Sequence, residues 1–316
     1  MTVPDDTSVV DTSVTTSARS DLRVQPLRHP GRWLGAAVVV LVLLALGLSL
    51  ARNPNMDWPT VREYLFAPVT FRGIVVTLYL TALAMAIGVV GGVVVAVMRL
   101  SDNVVLSTVA RLFIWFFRGT PVLVQIIFWG YLGALYPVLS LGIPFTGIDV
   151  VSGRTNDIIT GFVAATLALG LNQVAYSAEI VRGGITSIDR GQTEAAYSLG
   201  LTPAVTTRRV VLPQAMRVII PPMGNEVITM LKTTALVSVI AGQDLLTNLQ
   251  RIYSQNYKVI PLLVVASLWY LFMTSVLSVP QSWLERRYGR GQGARTDGSV
   301  LTRLIGLRSA RQGVQP

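Results

Sequence analysis

Long apolar runs alternate along the chain with short polar breaks. Uncharged stretches cover 33–50, 73–98, 119–148, 158–178 and 259–284, and another near 218–243 is interrupted by Glu226 and Lys232. A bilayer core about 30 Å thick is crossed by roughly 20 helical residues rising about 1.5 Å each. The pattern therefore predicts an all-α polytopic membrane protein with six transmembrane helices. The runs lack the strict apolar–polar alternation of transmembrane β-strands, which excludes a barrel.

The breaks predict the rest. Residues 1–31 are rich in Ser, Thr and Asp, carry Arg19, Arg23 and Arg28, show no period, and read as a disordered cytoplasmic tail. The first span covers 32–52; a first apolar run starting at Trp33 and 18 residues long does not fit a cleaved signal peptide. Segment 56–68 reads as an interfacial helix opened by Asp57 and Pro59, with Trp58 and Tyr64 at headgroup depth. The second span, about 72–98, holds Gly88, Gly91 and Gly92, which allow close backbone approach. The aromatic segment Val104–Phe117 suits a helix lying in the interface. In Arg118-Gly119-Thr120-Pro121, Gly119 ends that segment, Thr120 N-caps the next and Pro121 occupies its first turn. Spans three to six are then about 121–138, 158–181, 213–240 and 259–284, with Pro213, Pro221 and Pro222 interrupting the fifth. A polar loop at 183–213 separates spans four and five, and 286–316 is a basic cytoplasmic tail.

Composition and charge sharpen this picture. Apolar residues make up 52% and charged residues 13%, about half the share usual for a soluble domain. With no cysteine, and one histidine, His29, outside every span, thiolate metal sites and Ser-His catalysis are excluded. A net charge of +10 would suggest nucleic acid in a soluble protein. Here the basic residues cluster at span ends, as topology requires, so no nucleic-acid partner is expected. The tails, the Arg99–Arg118 region and the Arg182–Arg217 region hold most of the basic residues, which places both termini and the 183–213 loop in the cytoplasm.

That loop carries the most specific motif. It reads Glu194-Ala195-Ala196-Tyr197-Ser198-Leu199-Gly200, then nine residues, then Val210-Val211-Leu212-Pro213. Ser187 and Asp189 open a short helix, Gly200 closes it in the left-handed conformation, and Pro203 prevents continuation. The loop resembles the EAA coupling loop of ABC importer permeases, with Val210 where that family has Ile. Arg118-Gly119-Thr120-Pro121 with Val122, Leu123, Val124 and Gln125, the run Tyr176–Gly184, Gly191-Gln192 and Leu231–Leu236 are similar to its polar amino-acid branch. The resemblance covers roughly 70–285, so the family's five-span core falls on spans two to six, with span one an addition of open role.

The resemblance implies a bacterial inner-membrane permease subunit that binds two copies of an ABC ATPase. A second permease copy or paralogue, an extracytoplasmic amino-acid-binding protein and membrane lipid complete its partners. Gln192, Glu194, Ala195, Ala196, Ser198, Leu199 and Gly200 would form the ATPase-coupling surface. The chain itself needs no cofactor; ATP-Mg belongs to the partner, because neither lysine here, Lys232 nor Lys258, completes a phosphate-binding loop.

Polar residues inside spans mark a pathway, because lipid penalises them. Asn172, Tyr176 and Glu179 share one face of span four, with Gln173 at its shoulder, and Asn225, Thr229 and Lys232 share a face of span five, beside Glu226 and Thr233. Two readings stand for the charged members. They contact a zwitterionic substrate, or Glu179 pairs with Arg182 and Glu226 bonds locally. Arg118 reads as a structural anchor. A proton- or sodium-coupled secondary transporter is the alternative; it accounts for the buried charges but not for the capped helix, and the chain shows no inverted repeat.

Overall fold

The computed structural model describes residues 30–143 and 148–289, which fall into two units, one ending at Met56 and one beginning at Asp57. The first 29 residues, and the basic tail beyond Gly289, lie outside the described residues.

The first unit is helix α1 (Pro30–Arg52) followed by a 3₁₀ turn, Pro54–Met56. Apolar residues occupy every face of α1 from Trp33 to Leu50, and all are exposed. A helix apolar all round has no amphipathic face to bury.

The second unit starts with α2 (Trp58–Leu65). Asp57 is its N-cap, accepting from the Thr60 amide at 3.4 Å and from the Thr60 hydroxyl at 2.8 Å. Helix α3 (Pro68–Leu100) follows, then α4 (Val104–Gly119), capped by Asn103, then α5 (Val122–Gly130) and the single turn α6 (Leu132–Leu135). An antiparallel hairpin comes next, β1 (Val138–Ile143) and β2 (Ile148–Arg154), with Val138 opposite Arg154 and an irregularity at Leu141/Gly142. This departs from the all-α expectation. The third apolar run stops being helical at Leu135, because Tyr136-Pro137 turns the chain and a β-rich, glycine-containing segment follows.

The turn α7 (Thr155–Ile158) leads into α8 (Gly161–Thr186), α9 (Arg190–Ser198) and the turn α10 (Pro203–Thr206). A π-helical stretch, Thr207–Val211, runs into α11 (Leu212–Thr233) and a 3₁₀ segment, Thr234–Ile240. Two further helices, α12 (Leu245–Asn256) and α13 (Val259–Tyr288), complete the described chain. The sequence reading has no counterpart to α12. Asp244 caps it, and Leu245 and Leu249 bury its inner face against α3 and α13.

Three helical stretches are long and apolar enough to cross a bilayer singly: Trp33–Arg52, α3 and α13. The α4–α5 pair adds a fourth if it counts as one span bent by 96°. Helix α8, despite its 26 residues, and α11 carry too many polar residues to reach that hydropathy. The chain is thus a mostly helical membrane protein.

Packing is tightest where α3 meets α8. A Cβ on Gly88 would lie 2.3 Å from Gln173 Cγ, and one on Gly92 would lie 2.4 Å from Ser177 Cβ. Only residues without a side chain let these backbones come so close. Leu80, Ala84, Ile126, Ala168, Leu169 and Met230 fill the core beside this seam, bringing α3, α5, α8 and α11 together.

Candidate functional site

Proline creates the site's first wall. In a continuing helix the N–H of residue 121 would donate to the carbonyl of Phe117, but Pro121 has none. The helix breaks there, and α5 leaves at 96°. Gln125, buried one turn further on, returns the missing donor. Its Nε2 lies 3.0 Å from Phe117 O, 3.2 Å from Thr120 O and 2.8 Å from Thr120 Oγ1. The Thr120 hydroxyl donates back to Phe116 O at 2.9 Å, so Thr120 closes α4. This corrects the sequence assignment: Pro121, not Thr120, holds the N-cap position of α5, and no side chain caps it.

Helix α8 supplies the second wall. Asn172 Nδ2 donates to Phe117 O at 2.9 Å and to Gln125 Oε1 at 3.3 Å. Buried Gln173 donates to Ser177 Oγ at 3.2 Å and to Glu226 Oε2 of α11 at 3.4 Å. Tyr176 presents its ring to the Arg118 guanidinium, 5.1 Å from the centroid, a cation–π contact. Arg118 therefore stands at the site itself, not only as an anchor.

Together α4, α5, α8 and α11 border an open cavity of about 460 Å³. Asn172, Gln173, Tyr176, Glu226, Thr229 and Thr233 line it, joined by Arg118, Gly119, Thr120 and Pro121. The other three predicted pathway residues do not. Glu179 holds Arg182 in a bidentate pair with a 2.8 Å closest contact, while Asn225 and Lys232 are exposed on α11. Pro221 and Pro222 sit inside α11, where Gln281 of α13 donates to the Pro221 carbonyl at 2.8 Å; Pro213 lies in its first turn.

Gln125, bonded at the break beside the cavity, is not among the pathway residues expected from the sequence. Its signal was present: a glutamine four residues after a proline, inside an otherwise apolar run.

On the 183–213 loop, α9 is capped at both ends. Asp189 accepts from the Gly191 amide at 2.7 Å. Gly200, at φ +77°, donates to Tyr197 O at 2.9 Å, and Leu201 donates to Ala196 O at 3.1 Å. That pair of bonds is the Schellman arrangement, which needs the left-handed residue glycine provides. Ser187 does not open α9; it ends α8, its hydroxyl donating to Gly184 O at 2.8 Å. Ala196 is buried, whereas Gln192, Glu194, Ala195, Ser198 and Leu199 are exposed, Leu199 by 81%. Among the described residues no group of His, Cys, Asp and Glu could hold a metal ion.

Comparison with known proteins gives this architecture a family. The family described as binding-protein-dependent transport system inner membrane component matches residues 88–290. The arginine transport system permease protein ArgU of Corynebacterium glutamicum is 45% identical over 277 residues, 87% of this chain and 86% of that protein. The glutamine transport system permease protein GlnP of Escherichia coli is 34% identical, over 74% of this chain and 98% of its own. A crystal structure described as an amino acid ABC transporter with histidines is 38% identical and superposes with a TM-score of 0.59, covering 70% of this chain and 94% of that one. The chain therefore belongs to the binding-protein-dependent transport system inner membrane components, as the membrane-embedded permease subunit of an ABC importer whose ATPase is a separate subunit.

Proposed function

We propose that this permease carries a polar amino acid across the inner membrane and couples its passage to ATP hydrolysis through α9. The polar cavity carries the reading. Apolar helices border a space of about 460 Å³ lined by a guanidinium, a carboxyl group, two amides, a tyrosine and three threonines, side chains that lipid does not favour. Arg118 suits the carboxylate of an amino acid, and Glu226 suits its ammonium or a cationic side chain. The names of the relatives, which transport arginine and glutamine, support the same substrate class. Asn225, Thr229 and Lys232 form an exposed polar stripe on α11; a second permease copy or paralogue would cover it and complete the pathway.

Helix α9 is the coupling element. Its two caps make it a rigid knob, and Leu199 and Glu194 are the side chains it offers to a groove on each of two ATPases. An extracytoplasmic binding protein delivers the amino acid from the other side. Co-purification with a co-expressed amino-acid ATPase tests this. Wild type is expected to retain the ATPase, while Glu194→Lys and Gly200→Pro lose it and remain membrane-folded. Equal retention by both variants, with uptake following the proton gradient, would instead establish the secondary transporter.

A further inference from the structure

We infer that the apolar groove between α3 and α11 is a binding site for an anionic phospholipid of the inner leaflet, with its acyl chain in the groove and its phosphate on Arg208 and Arg209. This inference rests on the coupling reading of α9 above, which puts this end of the helices in the cytoplasm.

The groove, about 690 Å³, is open along one side and shares no lining residue with the polar cavity. Val89, Val93 and Val97 of α3 form one wall, and Met216, Ile220 and Met223 of α11 the other. Among the described residues that line it, only Thr207 has a polar side chain. Val97 lies one turn from the end of α3, and Thr207 opens the π-helical stretch packed against α9. The groove therefore starts at the α9 end and runs toward the middle of the bilayer.

A second permease copy is not its occupant. Side chains on a helix advance about 100° per residue, so Met216, Ile220, Met223 and Val227 face nearly opposite to Asn225 and Lys232 of the exposed polar stripe. A copy seated on that stripe leaves the groove to lipid. Apolar contact alone accepts any tail, since lipid chains are as apolar as these walls. Charge at the mouth provides the selection.

The π-helical stretch Thr207–Val211 brings that charge to the mouth. The Leu212 amide donates to the Thr207 carbonyl, which sets these two residues on one face; in an α-helix a separation of five turns them apart. Both line the groove. Arg208 and Arg209, next in the chain after Thr207, are exposed, and among the described residues neither has an ion-pair partner or a side-chain hydrogen bond. The acid beside Leu284 of the groove, Glu285, accepts from Gln281 Nε2 at 3.0 Å. Two free guanidiniums at the interface end of an apolar groove match a phosphodiester above an acyl chain.

Photolabelling of the purified permease–ATPase complex in nanodiscs tests this. The probes are phosphatidylglycerol and phosphatidylcholine carrying the same diazirine on one acyl chain, with exposed Leu271, Phe272 and Val276 of α13 measuring bulk lipid. Relative to those residues, phosphatidylglycerol is expected to label the groove about tenfold more than phosphatidylcholine, as two arginines at a lipid surface allow. Arg208→Gln combined with Arg209→Gln is expected to erase that preference while the ATPase is retained. Equal labelling by both lipids in wild type overturns the inference, and so does a groove left unlabelled because a second copy covers it. Loss of the ATPase from the double variant assigns both arginines to that partner and also overturns it. Val93→Trp serves if the double variant does not fold. It fills the groove, leaves the arginines in place, and is expected to lower phosphatidylglycerol labelling of α11 to the phosphatidylcholine level; persistent labelling there overturns the inference. A wild-type complex that holds no ATPase overturns the coupling reading and this inference with it, whereas headgroup-blind labelling of an intact complex overturns this inference alone.

Discussion

Helices α1 and α8 are both long and mostly apolar, yet they stand at opposite ends of what a membrane helix can do. In α1 every described side chain from Trp33 to Leu50 is exposed, and the glycines at 35 and 47 have nothing within 4 Å of an added Cβ. In α8 half the positions are buried, several as alanine, and Asn172, Gln173, Ser177 and Glu179 interrupt the apolar surface. Hydropathy alone ranks α1 as a clear span and passes over α8. A side chain that meets only lipid is free to be uniformly apolar. A helix that packs against four others and borders a polar cavity needs small residues for contact and polar ones for chemistry. Low hydropathy here marks the helix that borders the polar cavity.

The same substitution in the two environments gives the sharpest contrast and the largest effect. Gly88→Leu drives a side chain into Gln173 of α8 and should cost about 3 kcal/mol or more. Gly47→Leu in α1 meets nothing and should change stability by less than about 0.5 kcal/mol. Thermal unfolding of both variants in detergent, followed by size-exclusion fluorescence, reads the difference; equal losses would end the contrast.

A smaller effect is expected at the start of the second unit. Lys258 Nζ lies 2.8 Å from Asp57 Oδ2 and 2.9 Å from the Thr60 hydroxyl, fastening α2 to the head of α13. The Lys258 bond, then that of Thr60, holds the Asp57 carboxyl below its ordinary value, and the Asp57 bond raises Lys258 above its own. The aspartate's contribution is present above the ordinary carboxylate value of 3.8 and disappears as pH falls through the lowered one. The lysine's is present below 10.5 and disappears as pH rises through the raised one. Limited proteolysis of α2 should therefore be flat between about pH 4 and about pH 10, and rise as pH falls through the lowered carboxyl value or climbs through the raised lysine value. Asp57→Asn should flatten the acid limb.

Much of the molecule was legible without coordinates. Its class follows from runs that only lipid or a buried core can accommodate. The caps of α9 follow from local chemistry: Asp189 meets an amide two residues on, and Gly200 adopts a backbone angle that other residues resist. The break at Pro121 likewise needs only the absence of one N–H. The hairpin at 138–154 and helix α12 were harder, because short segments between apolar runs take their form from what they pack against.

What the sequence determined by itself is therefore everything set by a residue and its near neighbours: the apolar runs, their breaks, the capped helix and the face of α8 that carries Asn172 and Tyr176. Tertiary structure alone decided which polar residues meet. Helix α11 carries polar residues at 225, 226, 229, 232 and 233, but only Glu226, Thr229 and Thr233 line the cavity. Side chains one residue apart on a helix point about 100° apart, so the rotation of α11 selects among them. That rotation comes from packing against neighbouring helices, including the core residue Met230 and the Gln281 contact at Pro221. Convergence of Gln125 and Asn172 on one carbonyl depends likewise on contacts 47 residues apart in sequence, which no local rule encodes.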